Sequence, residues 1–116
     1  MEEKYFSDET KDVHKLYITR DQMVAIRRRL EFTQPTMAEE MGLSKSAYVA
    51  IETGAATFRK IHALAAERVA EKWAHQLGRP EIIPYPVFMD MSLTLQRWSI
   101  EELKAAQIRI FEGKIR

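Results

Sequence analysis

The stretch Thr33–Gly54, TQPTMAEEMGLSKSAYVAIETG, decides the fold of this chain. Thr33 is a helix-capping residue, and Met37, Ala38 and Met41 follow at the intervals of one helix face, which predicts a short amphipathic helix. Pro35 falls in the first turn of that helix, where its missing N–H costs nothing. Gly42 supplies the positive φ that ends it. Leu43 then tucks in and Ser44 caps a second helix, whose Tyr48 and Ile51 point back to the core. Lys45, Ser46, Val49 and Ala50 are left on the outward face, and Gly54 closes the element.

Upstream, Thr19-Arg20-Asp21-Gln22 has capping-box spacing, and Met23, Ile26 and Leu30 continue at helical intervals, predicting a helix over about 20–30. The junction that follows is Glu31-Phe32 and contains no glycine. Downstream of the loop at 54–57, Phe58, Ile61, Ala65, Val69, Trp73 and Leu77 recur every three or four residues and predict a long helix ending at Gly78-Arg79-Pro80. Val13–Ile18 has enough β-formers for a short strand or an arm packed on a neighbour. EIIPYPVFM (81–89) is apolar and interrupted by Pro84 and Pro86, which suits an edge strand or extended arm. Ser99-Ile100-Glu101-Glu102 repeats the capping-box spacing, and Ile100, Leu103, Ala106, Gln107 and Ile110 mark a final amphipathic helix. The expected architecture is mostly α: an arm over 1–18, a helical bundle over 19–80, and a segment over 81–116 holding an extended strand and a helix.

With 116 residues the chain can bury one modest core. It has no cysteine, which excludes disulfides and thiolate metal sites. No apolar run approaches the roughly 20 residues needed to span a membrane, and the acidic start MEEKYFSDE is unlike a signal peptide, so a cytoplasmic location is expected. The net charge of +1 is unevenly placed: −2 over residues 1–19, +3 over 20–80 and zero over 81–116. The positive excess lies on the segment with the outward-facing helix, as phosphate binding requires. His14, His62 and His75 have no ligand spacing, and no phosphate loop, paired-carboxylate site or nucleophile elbow occurs. Neither catalysis, a metal nor a cofactor is expected.

Two short helices joined by a tight turn, the second presenting small and basic side chains, fit a DNA major groove. The order of residues also resembles the lambda-repressor/Cro type of helix-turn-helix, the XRE family. The matching elements are Thr33-Gln34 opening the second helix, the Met37-Ala38 pair, Gly42 at the turn, Ser44 before the third helix, and Ile51-Glu52-Thr53-Gly54 at its end. The resemblance runs from Thr19 to about Leu77, half of the chain. It implies a lambda-repressor-like bundle and a regulator that binds double-stranded DNA. The chain departs from the family at the turn between the first two helices, where Glu31-Phe32 stands in place of the usual glycine or asparagine, so Glu31 must either adopt a positive φ at a cost or lengthen the first helix. The simplest such protein is a repressor, autoregulatory or otherwise, acting by occupying its operator. Two alternatives use the same residues differently: an antitoxin whose remaining surface neutralises a toxin, and a small protein-interaction module that never touches DNA.

Lys45 and Ser46 open the third helix and are the leading base-edge candidates, since lysine donates to guanine O6 or N7 and serine serves several bases. Val49 and Ala50, one turn later, are candidates for contact with a thymine methyl. The resemblance places phosphate contacts at Gln34, at the start of the second helix, and at Thr53, Arg59 and Lys60 around the following loop. It also implies that Arg27 and Glu52 form a structural ion pair bracing the first helix against the third. One such unit reads few base pairs, so a symmetric homodimer on a near-palindromic operator is expected, with 81–116 supplying much of the interface through a paired strand at 81–89.

Overall fold

In a computed structural model of the chain, residues 16–111 are described. They form helices α1 (Arg20–Arg29), α2 (Gln34–Met41), α3 (Lys45–Thr53) and α4 (Lys60–Leu77), a 3-10 turn at Pro80–Ile82, then α5 (Tyr85–Arg97) and α6 (Ile100–Phe111). No strand occurs among the described residues. Half of the proposed strand at Val13–Ile18 lies outside them, and Leu16–Ile18 is not extended into a sheet.

Short-range chemistry sets the first three helices. The Thr19 side chain accepts from the Gln22 N–H while Gln22 Oε1 accepts from the Thr19 N–H at 2.8 Å, closing both ends of the capping box. Thr33 and Ser44 cap α2 and α3 by accepting from the N–H groups of Thr36 and Ala47. Gly42 ends α2 at φ 80°, a left-handed conformation that a Cβ would strain, and the Leu43 N–H then reaches the Ala38 carbonyl at 2.8 Å. The same closure ends α1 without glycine. Glu31 sits at φ 59°, its N–H bonded to the Arg28 carbonyl and that of Phe32 to the Arg27 carbonyl. The non-glycine residue thus takes the positive φ, and the first helix is not lengthened.

The core gathers Met23 and Ile26 of α1, Met37 and Ala38 of α2, and Tyr48 and Ile51 of α3 around α4. Each fully buried aliphatic side chain contributes about 1.5–3 kcal/mol. The buried face of α4 meets the expected stripe at Val69, with Phe58 and Trp73 packed against the core, and departs from it elsewhere. Ala63, Ala66, Val69, Ala70 and Ala74 face inward with Glu67, whereas Ile61 is 67% and Leu77 46% exposed. Small side chains let the α4 backbone approach α1 and α2 closely, so packing distance outweighs bulk in choosing the inner face.

The reading of 81–89 as a strand is overturned. Pro84 occupies the N-cap position of α5 and Pro86 its first turn, both places where a missing N–H breaks no helical bond. The prolines therefore start a helix. Nor does the core stop at residue 80: Ile82 and Pro84 are fully buried. Arg79 fastens this junction, donating from Nη1 to the Arg29 carbonyl and from Nε to Glu81 Oε2, each at 2.9 Å. Beyond Pro84 the character changes, since α5 buries none of its residues.

Candidate nucleic-acid interface

The five positions Lys45, Ser46, Val49, Ala50 and Thr53 lie within one side of α3, because steps of one, four, five and eight residues cluster on a helical wheel. Tyr48 and Ile51 occupy the other side and are buried. Lys45, Ser46 and Thr53 are exposed, and Val49 and Ala50 are half-buried beside them. The outward surface is thus a short, open face with one cation at its beginning.

What holds α3 in place is a polar brace. Glu52 Oε1 accepts from Arg27 Nε at 3.0 Å and Oε2 from Arg27 Nη2 at 3.0 Å, a two-pronged pair between α1 and α3. Arg27 Nη1 also donates to the Phe32 carbonyl at 3.0 Å, which ties the brace to the Glu31 turn. Gln34 Nε2 adds a bond to Glu52 Oε2 at 3.1 Å, so α2 joins as well. Burial pulls the Glu52 carboxyl upward, but the bonds from Arg27 and Gln34 and the adjacent Tyr48 hydroxyl outweigh it and hold it below the usual carboxylate range. Glu52 in turn raises Arg27. Tyr48 is held above its ordinary range, chiefly by burial and then by Glu52, and its hydroxyl lies under the brace without a hydrogen bond of standard geometry.

The expected phosphate contacts are placed unequally. Gln34 is half-buried and one amide hydrogen is committed to Glu52, leaving the other for an outside acceptor. Thr53 donates its hydroxyl back to the Val49 carbonyl at 2.9 Å. Arg59 and Lys60 are exposed on the far side of the 54–59 loop, with Lys60 Nζ 5.9 Å from the centre of the Tyr17 ring. The structure also brings Arg20, which the spacing of α1 alone does not single out, against Gly54 at the end of α3.

Among the described residues no cluster of His, Cys, Asp and Glu fit to hold a metal ion occurs, and no helix is long and apolar enough to cross a membrane. Comparison with protein-family models, curated proteins and solved structures gave no match to this chain.

Proposed function

We propose that the chain is a sequence-specific double-stranded DNA-binding regulator built on a lambda-repressor/Cro-type helix-turn-helix, with α2 and α3 as its two helices and α3 entering the major groove. The observation that carries this reading is the division of α3: Lys45, Ser46, Val49 and Ala50 outward, Tyr48 and Ile51 inward. The three bonds on Glu52 support it, because a helix that reads base edges must be held rigidly by the rest of the domain. Lys45 and Ser46 contact base edges, Val49 and Ala50 permit close approach and touch thymine methyls, and Arg59 and Lys60 contact phosphate. Regulation is by occupancy, most simply repression.

The protein works as a two-fold dimer, and α5 and α6 supply its interface in place of the strand first expected. Phe88, Leu93, Leu95, Trp98, Ile100 and Ile108 are each between 44% and 56% exposed, and all lie in this C-terminal pair of helices or at the junction between them. A concentration of apolar surface of this kind on a small chain marks an association site. A dimer places two α3 helices about one DNA turn apart and doubles the bases read.

Fluorescence anisotropy with the preferred duplex and with single-base variants tests the assignment. Lys45→Ala should weaken the preferred site by about 1–3 kcal/mol and relax discrimination at one position. An equal loss on every sequence would make Lys45 a phosphate contact and remove the base-reading role.

A further inference from the structure

Arg20, at the first position of α1, carries a guanidinium whose role the core and the brace leave unexplained. Its Cζ, Nη1 and Nη2 lie 3.8, 3.8 and 3.9 Å from the point where a Cβ on Gly54 would stand. Three nearly equal distances mean that the flat face of the guanidinium lies over Gly54, the residue that follows the last turn of α3. Its Nε is buried and has no hydrogen-bond partner. Among the described residues no carboxylate forms an ion pair with it, although Asp21 is adjacent in sequence and lines the same shallow recess together with Tyr17, Thr19 and Phe58. Lys60 Nζ stands 5.9 Å from the centre of the Tyr17 ring, one of the residues lining that recess.

An unpaired arginine partly withdrawn from water is costly unless an anion completes it. Gly54, over which it lies, opens an exposed loop, 54–57, that leads to the exposed cations Arg59 and Lys60. Resting on the DNA-binding reading above, we propose that Arg20 is a DNA-backbone contact, delivering its guanidinium to a phosphate beside the C-terminal end of α3. It anchors one end of α3 while Lys45 reads bases at the other, and it contributes affinity without sequence preference.

The test is the salt dependence of binding to a random-sequence duplex of about 30 base pairs, read by anisotropy for the full chain, Arg20→Gln and Arg20→Lys. Loss of one phosphate contact lowers the slope of log K against log salt by about 0.9, which corresponds to roughly eightfold weaker binding at 0.1 M salt and roughly threefold at 0.3 M. Arg20→Gln should show this loss on every duplex, and Arg20→Lys, which keeps the charge, should retain the slope. A slope unchanged in Arg20→Gln, or lost equally in Arg20→Lys, overturns the proposal while leaving DNA binding intact. A lower melting temperature with no change of slope would likewise make Arg20 only a packing residue. Absence of binding by the unaltered protein at low salt would instead overturn the DNA-binding reading itself.

Discussion

Replacing Glu52 with glutamine should loosen α3 without touching its outward face. The carboxylate receives three bonds, from Arg27 Nε, Arg27 Nη2 and Gln34 Nε2, at 3.0, 3.0 and 3.1 Å. The side chains of Arg27 and Glu52 are only 15% and 11% exposed, so solvent screens the pair weakly. A glutamine of the same shape keeps one acceptor and turns the other position into a donor facing a donor. It also leaves the Arg27 guanidinium without its counter-charge. Hydrogen bonds to charged groups contribute about 1.5–3 kcal/mol each, and part of that is recovered by the surviving carbonyl. A net loss of about 2 kcal/mol is expected, which in a domain of this size lowers Tm by roughly 10 °C. Thermal unfolding followed by circular dichroism at neutral pH measures it. The pH dependence supplies the sign. Because the folded carboxyl lies below its ordinary value, its stabilisation is complete above the unfolded glutamate pKa of about 4.3 and fades as pH falls through the lower folded value. The gap between the two proteins should therefore narrow on acidification. A Tm unchanged at neutral pH, or a gap that persists in acid, would refute the brace as a source of stability.

Other perturbations reach separate parts of the fold. Glu31→Gly relieves the positive φ of 59° in the α1–α2 turn and should raise stability by about 1 kcal/mol, several degrees in Tm; a decrease would mean that the Glu31 side chain has a role of its own. Glu67 is buried in α4, accepts the Ile18 N–H at 2.9 Å, and is raised above the usual carboxylate range, first by burial, with Asp90 acting in the same direction. A raised folded value means that stability is full below the unfolded glutamate pKa of about 4.3 and is lost as pH rises through the higher folded value, so Glu67→Gln should gain relative to the unaltered protein as pH rises above about 4.3 in paired melting curves. Truncation after Pro84, which keeps buried Ile82 and Pro84 in the core, should give a folded monomer by sedimentation equilibrium while the full chain is a dimer. Equal association of both chains would remove α5 and α6 from the interface.

What could be read in advance depended on how local the physics is. Thr19 with Gln22, Thr33, Ser44, Gly42 and Gly54 act within a few residues of their own positions, so the limits of α1 to α3 and the side of α3 that turns outward were legible. The Glu31 turn was legible only through the resemblance, which puts glycine or asparagine there, and the structure decides for the positive φ over a longer helix. The inner face of α4 was legible only in part: Val69 and Trp73 were, but periodicity also weighted Ile61 and Leu77 by hydrophobicity, whereas close helix packing selected alanines. Pro84 and Pro86 were misread because proline breaks a strand and a helix interior alike but is tolerated at a helix start, and only the position of that start tells the cases apart. Arg20 was invisible because its meaning comes from Gly54, 34 residues away in the chain.

Whether α3 reads DNA is tested most directly by selection from a random double-stranded library with the 116-residue chain, followed by sequencing of the bound fraction. A base-reading α3 in a two-fold dimer should enrich a near-palindrome whose half-sites are centred about one helical turn, roughly 10 base pairs, apart. Lys45→Ala should relax one symmetric pair of positions within that motif. A bound pool that remains random after repeated rounds at low salt would contradict base reading by α3.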